Sequence, residues 1–382
     1  MNYATNGSKT YNADYCKKAA EAFAELLKLV DAGQTQYDLV DFAHYSDIFY
    51  SFKQNSKNPG STEAIFQTPM YDWWMGSGWS LGPQFVPSIL ANETNGVVFC
   101  PTANYVNYYG MANGLPLKDP DSGFDEEHPW RDRDPRFYNN ILIPGDTWGT
   151  YASGKPYYIR LWRGCTAYNN YGSSKHTNGR QLSGFMCRKF LWPEANYRHD
   201  QTLGTTKPFL QKIAQTVFIR ATQLYLDFAE ASFEATGSAT AKVEDCGMTA
   251  EEALNTIRNR IGVTDIPSDI VSDPEKFREA YRRERGVELM FENHRWWDVR
   301  RWMIMHTLFN EPYPIKGVYF DPVGSYEDSA DGKSGTRPAS FTYTVFDMEK
   351  EIRGFSNMRN YWYPLPQHDV DALHNLQQNP GW

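Results

Sequence analysis

The stretch FREAYRRERGVELMFENHRWWDVRRW, residues 277–302, sets the reading of the whole chain. Glu284, Glu288, Glu292 and Arg295 follow one another at three- and four-residue steps, so a helix would carry them on one face, with Asp298, Arg300 and Arg301 beyond. Two readings stand for that face. It could hold a carboxylate pair for acid–base work. The better reading is structural: acids interleaved with arginines, beside Leu289, Phe291, Trp296 and Trp297, suit partly buried ion pairs that fix how helices dock.

The helical period around this stretch extends over residues 274–306, and it recurs over 209–235 and over 249–261, where Thr249 and Glu252 have the spacing of a capping box. Residues 208–306 are therefore expected to form a helical scaffold. Near the other end, Ala19, Ala20, Phe23, Leu26, Leu27 and Val30 recur at helical steps, which predicts a helix over residues 12–32 stopped by Gly33. A second helical stretch is expected over 37–49. The two read as a TPR-like helical hairpin over 11–50, in which the small Ala19, Ala20, Ala22 and Ala24 permit close packing. No clean 34-residue repeat follows, so a continuous solenoid is not expected.

Residues 55–207 break into short apolar pieces separated by Gly, Pro and Asn clusters, the pattern of loops and short strands. Residues 307–382 read as an irregular tail. The expected fold is mainly α, one unit over residues 1–382, with a helical frame carrying a large loop-rich insertion on which function would sit.

Composition narrows the function. No apolar run approaches the roughly 20 residues that span a bilayer. A net charge of −8 argues against a nucleic-acid ligand, which calls for a basic face. The five cysteines are far apart, with no CxxC pair and no zinc-finger histidine, and the eight histidines fall in no ligand spacing, so neither a metal nor another cofactor is expected. There is no GxSxG elbow, Walker loop, GxGxxG or HExxH. Residues 1–10 carry no basic start, apolar core or cleavage site, so no secretory signal is read there.

The 12 Trp, 25 Tyr and 22 Phe point to recognition through flat faces. PMYDWWMGSGWSLGP, residues 69–83, offers Tyr71, Trp73, Trp74 and Trp79 on a backbone too Gly-rich for helix. A sugar ring has an apolar C–H face that an indole or phenol covers, and a polar rim that Asp72, Ser77, Asn92 and Asn95 could hydrogen-bond. The other reading makes these aromatics a small core under the insertion. A second aromatic set spans residues 147–171. Strand alternation would turn Tyr157, Ile159 and Leu161 inward, leaving Trp148 and Tyr151, flanking glycines, as the exposed pair. The sign-alternating block RDRDPR, residues 131–136, reads as a salt-bridged loop anchoring the insertion to the frame, and Asp125 to His128 as a solvated acidic turn.

FIRATQLYLDFAEAS at 218–232, AEEALNTIRNRIGV at 250–263 and the stretch at 277–302 resemble, in that order, the C-terminal signature of the SusD/RagB family. PTANYVNYYGMANG at 101–114, RDPRFYNNI at 133–141, GFMCRKFL at 184–191, NYWYPLPQHDV at 360–370 and the terminal QQNPGW agree with it. The resemblance implies a TPR-containing helical scaffold and an outer-membrane surface lipoprotein that captures glycan as the lid of a SusC-like TonB-dependent transporter. It also implies a longer polypeptide, with a lipoprotein signal and further helices ahead of residue 1. Other functions stay open. Peptide or another nutrient could be the cargo, a glycoside hydrolase could use Asp72, Asp125 or Asp134, and a TPR-like frame could serve protein interaction alone.

Overall fold

Helix α1 (Ala13–Asp31) starts where the Asn12 side chain accepts the Tyr15 N–H at 3.1 Å, and it stops at Gly33, whose φ of +64° suits a residue without Cβ. It buries Ala20, Ala24, Leu27 and Val30. The computed structural model describes residues 11–51, 62–67, 100–150, 154–165, 183–190, 213–214, 216–309, 313–327, 336–355 and 357–382. The expected second helix of the hairpin is not α-helical. Residues 37–41 carry no helix, and Phe42–Phe49 form a 3-10 helix. The i,i+3 register of that tighter helix brings Phe42, Tyr45 and Ile48 to one side. Tyr45 there meets Phe42 and Phe49, and Phe49 meets Phe190, with ring centroids 5.6–5.8 Å apart. Strands β1 (Tyr50–Ser51) and β2 (Ala64–Gln67) follow.

The insertion contributes two short helices, α2 (Ala103–Val106) and α3 (Pro135–Asn140), and strands β3 (Ile141–Leu142), β4 (Thr147–Thr150), β5 (Pro156–Tyr158) and β6 (Met186–Cys187). β3 pairs with β6 and β4 with β5, both antiparallel. Its core joins Val106, Tyr109, Phe137, Ile159, Trp162 and Met186 to Val287 and Met290 of the frame. Each fully buried apolar side chain of this kind contributes about 1.5–3 kcal/mol.

The helical segment expected over 209–235 opens instead with strand. β7 (Ile213–Ala214) pairs with β1, and β8 (Val217–Arg220) with β2. β8 turns Val217 and Arg220 inward and leaves Phe218 and Ile219 exposed, an i,i+3 burial that mimics a helical period in sequence and goes here with a shifted register in the β2–β8 pairing. Helix α4 (Ala221–Thr236) is buried on nearly every side and is the partner of α1, so the close packing at Ala20 and Ala24 is made with a helix two hundred residues on in the chain. α5 (Ala250–Arg260) packs on its other side, started by the capping box: Thr249 Oγ1 accepts from Glu252 N at 3.1 Å and Glu252 Oε2 from Thr249 N at 2.7 Å.

α6 (Ser268–Val271) leads to α7 (Pro274–Glu288), capped by Asp273 with Pro274 in the first turn. The period read through residue 306 is interrupted: Phe291 and Asn293 adopt φ of 67° and 66°, α8 (Arg295–Arg301) follows, and Met303 at φ 54° precedes α9 (Met305–Leu308). This reversal turns the buried Glu292 carboxylate onto Lys189 and Arg220.

The tail is not irregular. β9 (Tyr313–Val323) and β10 (Ser340–Arg353) form an antiparallel hairpin in the register Val318↔Val345 and Phe320↔Tyr343, before α10 (Gln367–Ala372). Pro314, Gly317 and Pro322 hide it from a propensity reading. It closes the insertion core, with Trp130 5.0 Å from Phe320 and 4.9 Å from Tyr343. All five cysteines are free thiols.

Candidate functional site

The charged face of 277–302 is an ion-pair core. Glu288 is 0% exposed and meets three guanidiniums: Arg136 at 2.9 Å, Arg220 at 2.8 Å and Arg260 at 2.7 Å. Arg220 also pairs with Glu63 and Glu292, Arg136 with Asp134 and Glu284, Arg258 with Glu284, and Lys189 with Glu292. Five cations thus face five carboxylates, and the charge balances. Burial pushes the Glu288 carboxyl up, but Arg260, Arg220, Arg136 and Lys189 outweigh it and hold the group well below the usual carboxylate range. The Glu288 carbonyl, at the end of α7, accepts from Tyr45, Lys189 and Arg220, the cations sitting where the helix dipole favours them.

This core anchors the insertion, as the RDRDPR block suggests. Arg136 reaches from α3 into it, while Arg133 donates to the carbonyls of Gly110, Val106, Tyr109 and Pro129. Of the carboxylates weighed for hydrolysis, Asp134 is buried against Arg136 at 2.6 Å and caps α3. Asp125 is an exposed turn residue whose carboxyl is lowered by its hydrogen bond from His128 at 2.7 Å. The Asp125 carboxyl is lowered rather than raised, and Asp134 is taken up by Arg136 and the start of α3, unlike the raised acid beside an ionised partner that glycoside cleavage uses. Among the described residues no group of His, Cys, Asp and Glu could hold a metal.

Of the expected ligand contacts, Tyr71, Asp72, Trp73, Trp74, Trp79, Asn92, Asn95 and Tyr151 lie outside the described residues. What flanks residues 68–99 is held firmly. On one side Glu63 is locked by Arg220 and Arg260; on the other, Asn104 exchanges hydrogen bonds with Pro314 and Lys316 of β9, and Tyr105 donates to the Gly286 carbonyl at 2.7 Å. Trp148 lies in β4, which turns at Gly154, φ 78°, into β5. Ile159 and Leu161 are buried past the end of β5, but so is Arg160 between them, so burial there does not follow the expected strand alternation. Trp162 is buried too, 5.6 Å from both Tyr326 and Phe341, and is withdrawn from any ligand.

A polar and aromatic ledge that the sequence reading missed lies where the chain past β5 meets β9. Arg163 makes a two-point pair with Asp321 of β9, Nε to Oδ1 at 2.5 Å, and its guanidinium lies 4.6 Å from the Tyr319 ring, which stacks on Phe346 at 3.9 Å. The Arg163 and Asp321 side chains are 45% and 31% exposed, so the pair stands at the surface. The Arg163 N–H donates to the Phe320 carbonyl at 2.8 Å, which aligns the two segments. The signal available in the sequence was the alternation at 319–321, with Phe320 buried between Tyr319 and Asp321.

Frame, balanced acids and pinned loops define a scaffold that presents surfaces. Residues 62–382 match the model of the SusD family, and the chain belongs to that family. A SusD-like protein of Bacteroides fragilis NCTC 9343 superposes with a TM-score of 0.65 at 24% identity, over 96% of this chain and 62% of its own. A SusD-like carbohydrate binding protein of the same strain gives 0.59 at 24% identity, over 96% and 62%. A SusD superfamily protein of Bacteroides vulgatus ATCC 8482 gives 0.51 at 15% identity, over 97% and 62%. The chain therefore spans 62% of the length of these three structures. No curated protein matches it. Among the described residues no helix is long and apolar enough to cross a membrane.

Proposed function

We propose that this chain binds oligo- or polysaccharide at the cell surface without cleaving it and delivers it to a SusC-like TonB-dependent transporter. In this reading it is held at the outer membrane by a lipid anchor on polypeptide outside the chain. The observation that carries the reading is the clamping of both flanks of the Trp-rich 68–99 segment to a charge-balanced frame. A segment whose two ends are pinned has less freedom to lose on binding. The Arg163–Asp321 ledge would add hydrogen bonds to sugar hydroxyls. Membership of the SusD family agrees with this assignment.

The test is calorimetry across a glycan panel with the wild type, Trp73→Ala, Trp74→Ala and Trp79→Ala. Saturable binding, no release of reducing ends and at least a tenfold loss in one variant are expected. Binding untouched in all three would move the site elsewhere, and reducing ends that vanish on changing Asp72 or Asp125 would make the protein a hydrolase. Capture of peptides with no response to any glycan would replace the cargo.

A further inference from the structure

An open cleft of 770 Å³ lies in the frame itself, between the outer side of α7, the segment that follows α2, α6 and α9. It shares no residue with the aromatic segment or the ledge, and its assignment stands whether or not those bind glycan. Apolar walls come from Pro116, Ile266, Pro267, Ile270, Ile304 and Leu308. Its charges are unevenly placed. Three acids sit at the rim and are ion-paired: Asp269 with Lys276, Glu275 with Arg278, and Glu279, 78% exposed, with Arg282 at 3.7 Å, while a fourth, Asp119, accepts from the Asp121 N–H at 3.0 Å. Among the described residues Arg283 and Arg295 have no carboxylate within ion-pair distance. Arg295 donates to Tyr108 Oη at 2.6 Å and lies over the Tyr108 ring at 4.8 Å. Arg283 spends one nitrogen on the Gly114 carbonyl at 2.8 Å, while its Nη1 and the Nε of Arg282 are shielded from solvent with no protein acceptor. Buried donors in folded proteins nearly always find an acceptor. Burial, with Arg258 and Arg136 nearby, lowers the Arg283 pKa despite Glu284 and Asp134, so its charge is under-compensated.

We propose that this cleft binds the carboxylate of an acidic saccharide of one or two rings, a uronic acid, with Arg283 and Arg282 taking the carboxylate and Tyr108 and the apolar walls taking the ring. A guanidinium fork matches a planar carboxylate at two points, and the volume lies within the range of small-ligand sites. A neutral sugar would offer these donors hydroxyl oxygens but no counter-charge, the weaker kind of hydrogen bond.

The test is calorimetry of the whole chain with digalacturonic acid, its dimethyl ester and galactobiose, for wild type, Arg283→Gln, Arg282→Gln and Trp73→Ala. The free acid is expected to bind the wild type in a salt-sensitive way, the ester and the neutral sugar at least tenfold more weakly. Arg283→Gln and Arg282→Gln should each lose tenfold or more at unchanged melting temperature, and Trp73→Ala nothing. If Arg283→Gln fails to fold, Arg282→Gln carries the test alone. No binding of the free acid to wild type, equal binding of acid and ester, or affinity indifferent to both arginine changes would overturn the proposal. A short peptide with a free C-terminus that binds where digalacturonic acid does not would also overturn it.

Discussion

Arg136 of α3 and Glu288 of α7 meet at 2.9 Å, 152 residues apart in sequence, and both side chains are buried. The insertion is bolted to the frame through that contact. Because Glu288 also serves Arg220 and Arg260, its removal would take a carboxylate from three buried guanidiniums at once and leave the core with an excess of positive charge. Breaking one partner of such a pair costs about 3–5 kcal/mol. Glu288→Ala should therefore lower the unfolding free energy obtained from urea titration by that order, while the folded fraction keeps its glycan affinity. A selective loss of affinity at unchanged stability would return this face to a functional role.

Acid should unfold the chain in two stages. His294 is held below its ordinary pKa by burial and by Arg285, so only the unfolded state takes up its proton as the pH drops below about 6.5. That stability is present above 6.5 and lost as the pH falls toward the lowered value. Glu288 and Glu292 stay ionised in the fold at a pH where the unfolded carboxyls protonate, so their contribution is complete above about 4.3 and declines as the pH falls through their depressed values. Melting temperatures between pH 4 and 8 should fall first near 6.5, and His294→Gln should remove that first limb alone. A wild-type profile flat down to about pH 5 would contradict the assignment.

Gly184 links the insertion to the tail hairpin. Its φ is +88°, and a methyl placed on it would collide with the Val318 carbonyl, one residue from the bond that Val318 N donates to Ser183 at 2.9 Å. Gly184→Ala should destabilise by more than about 1 kcal/mol and speed proteolysis beyond residue 313, since strain and displacement act together. Protease resistance equal to wild type would argue that β9 and β10 stay docked without this contact.

The exposed Arg163–Asp321 pair should contribute little to stability, at most about 1 kcal/mol. Arg163→Ala should therefore leave the melting temperature within a few degrees of wild type and weaken glycan binding severalfold. Unchanged affinity would remove the ledge from the binding surface.

Helix starts and stops were legible because their causes act within a few residues. Asn12 and Gly33 bound α1, and Thr249 and Glu252 open α5. The interleaved acids and arginines of 277–302 likewise announced ion pairs, and RDRDPR announced an anchor. The errors lie where a distant partner overrode a local period. Residues 42–49 tighten to a 3-10 helix to fit Phe190 and Glu288, Val217–Arg220 become strand because β2 offers an edge, and the tail becomes a hairpin over the Trp130 cluster.

Local periodicity, capping chemistry and composition were enough to settle a mainly helical frame with a loop-rich insertion and buried counter-charges, because those properties depend on neighbours about three or four positions away. Which cation met which acid, that α1 would lie on α4, and that Arg163 would reach Asp321 over a separation of 158 residues were decided by packing. No sequence period encodes such meetings: they arise when two surfaces exclude water together, and each depends on the shape the rest of the chain has taken.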